Sequence, residues 1–247
     1  MTSAALPSIS ARTATLTGAD GALAVYEASA PEAPAALVLI HEAFGVTDHI
    51  ADVARRAAGE GYHVVAPDLF HRGGGGVAPY GDLMAAANYF QGMAGDDGIL
   101  ADVDACLTHL HGLGYADARI GVLGFCFGGR VSFLAGARRP LGAAVTLYGG
   151  GIMKANPFLP FPALVDDVPT MRTPWLGMYG VDDHGIPQDE VDALEKETAA
   201  APVETKVIRY EGAGHAFHND VMPSYNERAA KAAWAESLTW LRTHGVG

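Results

Sequence analysis

The chain has 247 residues, with 28 acidic and 16 basic side chains, a formal net charge of −12 and 49% hydrophobic residues, enough for a substantial core. A surface this acidic argues against nucleic acids and anionic membranes as partners, because neutralising phosphate needs clustered Lys and Arg. Two cysteines make no disulfide framework, residues 1–12 lack a signal-peptide pattern and no apolar stretch approaches the roughly 18 residues of a membrane span, so we expect a cytoplasmic protein.

Strands and helices alternate from residue 36 to the end, which predicts one domain, residues 1–247, built on a doubly wound, mostly parallel sheet. Before it, two short β segments flank residues 18–21 and predict an antiparallel hairpin at the sheet edge. The further predicted strands are residues 36–40, 63–66, 120–123, 143–147, 175–179 and 205–210. The predicted helices are residues 49–59, 82–91, 99–110, 130–138, 188–199 and 223–243, the last opened by Pro223.

The stretch from Gly124 to Gly128 reads Gly-Phe-Cys-Phe-Gly, between a predicted strand and a predicted helix. That order is typical of the nucleophile elbow of an α/β-hydrolase, with the sulfur of Cys126 where most members carry a hydroxyl. The glycines leave room for a very tight turn, and the helix N-terminus favours a thiolate. A buried cysteine in a glycine-rich connection is the structural alternative, and the five residues alone do not decide between the two.

Other reactive side chains follow further predicted strands: Glu42, Asp183 and His215. Because functional loops lie at the carboxyl ends of parallel strands, we expect them to meet Cys126 at one edge of the sheet. The order nucleophile, acid, histidine is that of α/β-hydrolases, with His215 as the base and Asp183 orienting it. Asp182 is the alternative acid, and either carboxylate could instead cap the next helix.

Two further features concern metals and loops. His215 and His218 lack a third ligand and the sequence has no His-Glu-x-x-His motif, so we expect no metal. Residues 152–172 contain four prolines and the apolar Phe158, Phe161 and Leu164, which is long and apolar for a connection. Such loops are often lids or binding loops, and a strand-capping excursion packed on the surface is the alternative.

Five segments together resemble the dienelactone hydrolase family: residues 41–45, 66–70, 124–129, 180–187 and 214–218. The resemblance runs over roughly residues 36–241. It implies an α/β-hydrolase fold and hydrolysis of a small carboxylic ester or lactone, without a cofactor, by Cys126, His215 and Asp183. It also implies that the backbone amides of Ala43 and Phe127 form the oxyanion hole, in agreement with the general rule for this fold.

Glu42 is the family's additional residue. A carboxylate beside a thiol disfavours the thiolate and so protects the resting cysteine from oxidation. The resemblance implies that Glu42 takes the thiol proton when substrate arrives. From the residues alone, capping of the following turn is the alternative role.

The chain departs from the family pattern at the site of a substrate carboxylate. Family members that act on dicarboxylate dienelactone hold that group with arginines, one of them a few residues after the catalytic histidine, where this chain has His218-Asn219-Asp220. An amide does not replace a bidentate guanidinium. We expect a pocket lined by Phe44, Phe127 and Phe217 and by apolar residues from 152 to 164. Arg72 is the one candidate cation close to a strand end, and solvation of its side chain is the alternative.

Two other functions remain open at this point. The same fold could bind a small ligand without catalysis, or Cys126 could serve as a redox sensor. An ordered acid and base favour the hydrolase, because a binding protein needs neither. The sequence leaves the oligomeric state open between a monomer and a small homo-oligomer.

Overall fold

The computed structural model describes residues 8–157 and 159–247. Residues 1–7 of the predicted domain and Phe158 of the predicted lid lie outside the described residues. The strands are β1 (Ser10–Gly18), β2 (Gly21–Ser29), β3 (Ala35–Ile40), β4 (Tyr62–Pro67), β5 (Ile120–Phe125), β6 (Ala143–Leu147), β7 (Trp175–Gly180) and β8 (Thr205–Tyr210). The helices are α1 (Asp48–Gly59), α2 (Leu83–Gln91), α3 (Gly95–Gly112), α4 (Phe127–Arg138), α5 (Gln188–Thr198) and α6 (Glu227–Thr243).

All eight strands form one sheet in the order β1-β2-β4-β3-β5-β6-β7-β8. β1 pairs antiparallel with β2, and β2 pairs antiparallel with β4. The other neighbours are parallel. The prediction of a mostly parallel sheet with an N-terminal antiparallel hairpin is therefore confirmed.

The sheet separates two apolar cores, because successive side chains of a strand point to opposite faces. In β3, Val38 and Ile40 belong to the core covered by α3, α4 and α5, whereas Leu37 and Leu39 belong to the core under α1 and α6. Every residue of β3, β5, β6 and β7 is buried, as in strands covered on both faces. These buried central strands therefore hold in place the loops at their carboxyl ends.

The last helix starts later than the sequence pattern indicated. α6 begins at Glu227, four residues after Pro223, and the side chain of Asn226 accepts a hydrogen bond from the backbone N–H of Ala229 at 3.1 Å. The backbone N–H of Asn226 in turn donates to the carbonyl of Phe217 at 2.9 Å. The prediction was wrong because the asparagine cap, and not the proline, sets the first helical turn.

None of the helices in the described part of the chain combines the length and the apolar character that crossing a membrane requires.

Candidate active site

The turn between β5 and α4 has the backbone of a strained elbow. Cys126 adopts φ 55° and ψ −115°, a conformation that side-chain-bearing residues rarely take and that costs about 1–3 kcal/mol. A Cβ atom at Gly124 would overlap the backbone of Gly128, and one at Gly128 would overlap the carbonyl groups of Ile40 and His41. Both glycines are therefore required by space. The turn holds the Cys126 sulfur at the N-terminus of α4, partly exposed.

The other cysteine has a different environment. Cys106 lies in α3 and is fully buried in the apolar core. Burial raises the pKa of its thiol far above the ordinary range. Cys106 is thus a small core side chain, and only Cys126 faces a cavity.

Cys126, His215 and Asp183 lie in hydrogen-bonding contact. Nε2 of His215 is 3.1 Å from Sγ of Cys126, and Nδ1 is 2.7 Å from Oδ2 of Asp183. The other oxygen of Asp183, Oδ1, accepts the backbone N–H groups of Gly185 and Ile186 at 2.8 and 3.1 Å. Asp183 is 2% exposed, whereas its neighbour Asp182 is exposed. The geometry therefore brings together Asp183, and not Asp182, with the histidine.

The environment of His215 favours the protonated ring. Burial acts to lower the pKa of His215. The sulfur of Cys126 and the hydrogen bond to Asp183 raise it by more than burial lowers it, so that the net pKa lies well above its ordinary value. The edge of the Tyr148 ring packs against the imidazole, with 5.3 Å between ring centroids. A pair of imidazolium and sulfur is therefore an accessible state of this site.

Glu42 lies in the loop that follows β3. It is 3% exposed, and uncharged side chains hold its carboxyl group. Nδ2 of Asn219 donates to Oε2 at 2.6 Å, and the hydroxyl of Tyr148 donates to Oε1 at 3.4 Å. Burial raises the pKa of Glu42 to about 7, although Asn219, His215 and Tyr148 partly offset it. Its proton therefore equilibrates near neutral pH. The sequence did not point to Tyr148 or to the contact with Asn219, which lies 177 residues away along the chain.

This environment makes a prediction about stability. Folded protein holds a proton on Glu42 up to about pH 7, whereas the unfolded chain loses it near pH 4.5, so the Glu42 contribution to the free energy of unfolding falls as pH rises. As pH rises from 5 to 8, the free energy of unfolding of Glu42→Gln should increase by about 2–3 kcal/mol relative to that of wild type. Urea unfolding of both proteins at pH 5, 6.5 and 8 measures the difference. A difference in the free energy of unfolding that stays constant over this range would contradict the raised pKa of Glu42.

His41 fixes the peptide that follows it. Its Nε2 accepts the backbone N–H of Leu69 at 3.2 Å, which leaves the ring proton on Nδ1, 2.6 Å from the carbonyl oxygen of Glu42. Burial lowers the pKa of His41, which keeps the ring neutral. Because C=O and N–H point in opposite directions across a trans peptide, anchoring the Glu42 carbonyl also orients the N–H of Ala43. Ala43 and Phe127 both line the cavity at Cys126.

The cavity has a volume of about 400 Å³ and a mostly apolar wall. Helix α2 supplies much of that wall, including Met84, which is 76% exposed, and Phe90. The predicted lid contributes Leu159 and Asn156, whereas its Phe161 packs inward against Phe127. The full lining is Ala43, Met84, Ala86, Ala87, Phe90, Cys126, Phe127, Gly150, Asn156, Leu159, Gly185, Ile186 and His215.

Three residues that were expected in the pocket lie elsewhere. Phe217 is fully buried against Tyr148 and Tyr210, and Phe44 packs on Tyr80. Neither contributes to the cavity lining, because both rings fill core positions beside the loops that carry them.

Arg72 is also turned away from the cavity. Its guanidinium binds Asp102 at 2.6 Å and Asp20 at 2.9 Å. Residues of α2 line the cavity where Phe44, Phe217 and Arg72 were expected. Their apolar character on several faces of a short helix was the one sequence signal for them.

Comparison with known proteins shows the family of this chain. Residues 22–245 match the profile of the dienelactone hydrolase family. A Methylorubrum extorquens protein provisionally named a carboxymethylenebutenolidase is 36% identical over 232 residues, 92% of this chain and 79% of the relative. The carboxymethylenebutenolidase of Pseudomonas putida is 30% identical over 224 residues, 90% of both chains.

A solved structure agrees with these relatives. The crystal structure of a provisionally named dienelactone hydrolase of Klebsiella pneumoniae superposes with a TM-score of 0.85 at 32% identity, over 95% of this chain and 99% of that one. A dienelactone hydrolase-like promiscuous phosphotriesterase from metagenomic libraries shares the fold, with a TM-score of 0.79 at 22% identity, over 95% of this chain and 98% of that one. The chain is a hydrolase that belongs to the dienelactone hydrolase family.

Proposed function

We propose that this protein hydrolyses small, uncharged carboxylic esters or lactones through a thioester on Cys126. One observation carries the proposal: Asp183, His215 and Cys126 form an unbroken hydrogen-bonded chain that ends at the apolar cavity. A protein that only binds a ligand has no need of a histidine held between a carboxylate and a sulfur. The family membership supports the same reaction class.

The proposed reaction starts with the thiol proton. Glu42 accepts it as substrate enters, which leaves a thiolate beside the imidazolium of His215. The sulfur attacks the carbonyl carbon, and the resulting oxyanion accepts the N–H groups of Ala43 and Phe127. When the intermediate collapses, the leaving alkoxide takes its proton from His215, and the acyl group stays on Cys126 as a thioester.

The second half of the reaction returns every group to its starting state. Neutral His215 removes a proton from water, and the hydroxide attacks the thioester carbonyl carbon. The carbon–sulfur bond breaks, the acid leaves, and the thiolate of Cys126 recovers its proton from Glu42. The pKa of Glu42, raised by burial to about 7, suits a group that must accept and return one proton near neutral pH.

Turnover of p-nitrophenyl acetate tests the proposal. Wild type should release p-nitrophenol with an initial burst, because the thioester forms before water cleaves it. Cys126→Ala should abolish both the burst and the steady-state rate, whereas Cys106→Ala should keep the burst at one per chain. No turnover by folded wild type would instead indicate a binding protein, and full activity of Cys126→Ala would reject the nucleophile.

The lining of the cavity predicts selectivity for uncharged substrates. No Lys or Arg contributes to its described lining, and Arg72 and Lys154 are engaged elsewhere, Arg72 with Asp102 and Lys154 with Glu190 at 2.7 Å. A substrate carboxylate buried there would lose its hydration without gaining a partner, at a cost of several kcal/mol.

Measurement of kcat/KM for an anionic dienelactone and for its methyl ester checks this prediction. We expect the uncharged ester to react at least as fast as the anion. The two substrates share the reacting bond, so the ratio reports the pocket and not the chemistry. A preference of roughly a hundredfold for the anion, equivalent to nearly 3 kcal/mol, would contradict the prediction.

A further inference from the structure

Three side chains with metal-binding atoms converge next to the N-terminal hairpin: Glu27 in β2, His63 in β4 and His109 in α3. Both histidines place Nε2 at 2.8 Å from the same oxygen, Oε1 of Glu27. Among the described residues, their three ligand atoms lie within 4.8 Å of one another. Two imidazole nitrogens and a carboxylate are a ligand set that Zn²⁺ and related divalent ions prefer.

The fold holds Glu27 in an unusual place for a carboxylate. Leu23 and Val25 point from β2 into the apolar core, and Glu27 takes the next position of the same row, 4% exposed. In the antiparallel pairing Glu27 lies opposite Val65, and His63 lies opposite Ser29, so Glu27 and His63 are diagonal neighbours on one face. Helix α3 covers this face and contributes His109. Three separate elements therefore position the three ligands.

The carboxylate of Glu27 is contacted from three sides, by His63, His109 and Arg12. Arg12 approaches the second oxygen, Oε2, at 2.7 Å from β1, and its side chain is 70% exposed. This countercharge can move into solvent when a cation binds, because it is not packed in the core.

A metal ion can enter this cluster only if the present contacts to Glu27 lengthen. In a tetrahedral zinc site the ligand atoms are about 3.3 Å apart, so the contacts to Glu27 need to open by about half an ångström. The side chains of His63 and His109 remain 14% and 22% exposed. A groove of about 520 Å³ adjoins His63 and Tyr115 and brings solvent to the His63 side of the cluster.

We propose that Glu27, His63 and His109 bind one divalent transition-metal ion, Zn²⁺ foremost, with water as the fourth ligand. The ion replaces the two hydrogen bonds at Oε1 and links the hairpin to β4 and α3. It is distinct from the catalytic residues, because His63 stands near the start of β4 whereas Cys126 and Glu42 follow the ends of their strands. Bound metal should therefore stabilise the fold without changing the hydrolytic reaction.

Zinc titration of the full chain, after dialysis against EDTA, tests the site by calorimetry. Wild type should bind one equivalent, and His63→Gln and His109→Gln should each weaken binding by roughly a hundredfold. His111→Gln is the matched control, since His111 lies on the same helix but is exposed and pairs with Asp117. It should bind zinc like wild type.

Two further measurements keep the test decisive. Arg12→Ala changes only an exposed side chain and should bind zinc several-fold more tightly, because a competing cation is removed. If a histidine variant fails to fold, anomalous diffraction of zinc-treated wild-type crystals should show a peak between the three ligands. Equal zinc affinity in all the variants, no binding by wild type, or an anomalous peak only at other histidines would overturn the proposal.

Discussion

Replacement of His215 by alanine should lower kcat for ester hydrolysis by roughly three orders of magnitude or more. The imidazole contacts both the sulfur of Cys126 and the carboxylate of Asp183, at 3.1 and 2.7 Å. Without it the leaving alkoxide has no proton donor and water has no base. Because both half-reactions use the same ring, the burst and the steady-state rate should fall together.

His184→Ala is the matched control for this experiment. His184 is exposed and lies next to Asp183 in the chain, yet it takes no part in the hydrogen-bonded chain described above. Its kcat should stay within about twofold of wild type, as for most exposed positions away from a site. A loss of less than tenfold in His215→Ala, with a folded protein, would mean that another base serves Cys126.

Asp183→Asn should lower kcat by about a hundredfold or more, through the tautomer of the histidine. Oδ1 of Asp183 accepts the N–H groups of Gly185 and Ile186, so an asparagine must keep its oxygen there. Its NH₂ group then faces Nδ1 of His215, which has to accept, and the ring proton moves to Nε2. That proton points at the sulfur and blocks Nε2 as a base.

Asp182→Asn provides the comparison. Asp182 is exposed, and it is the backbone N–H of this residue, bonded to the carbonyl of Ala213 at 2.9 Å, that contributes to the loop. The substitution keeps this backbone bond and should change kcat only a few-fold. Steady-state kinetics of the two variants, each checked for folding by circular dichroism, separate the residues. Equal losses would show that the acid is not Asp183.

The sequence predicted the tight turn at Cys126 and the meeting of Cys126, His215 and Asp183 because each leaves a local signal in the sequence. A tight turn without room for Cβ atoms forces glycine at 124 and 128, and the turn's place between strand and helix needs no long-range information. Asp183 and His215 each follow a strand, and parallel strands bring their carboxyl ends to one edge whatever the helices between them do.

The lining of the pocket and the cluster of Glu27, His63 and His109 have no such local signal in the sequence. Whether an aromatic ring after a strand points to the cavity depends on local backbone angles, as at Ala216, where φ is 60° immediately before Phe217. Arg72 was mistaken for a candidate substrate ligand because its partner Asp102 lies 30 residues further on. The contacts among Glu27, His63 and His109 span up to 82 residues, and only the assembled sheet and helix bring them together.

Because Cys106 is buried, alkylation of cysteine can measure the fraction of folded molecules in a preparation. With one sulfur sealed inside α3 and the other open to the cavity, an alkylating reagent added to native protein has a single cysteine to modify. The amount of reagent consumed then equals the number of correctly folded sites, and unfolded chains reveal themselves by consuming two. A preparation can thus be normalised by its competent fraction before any rate constant is compared.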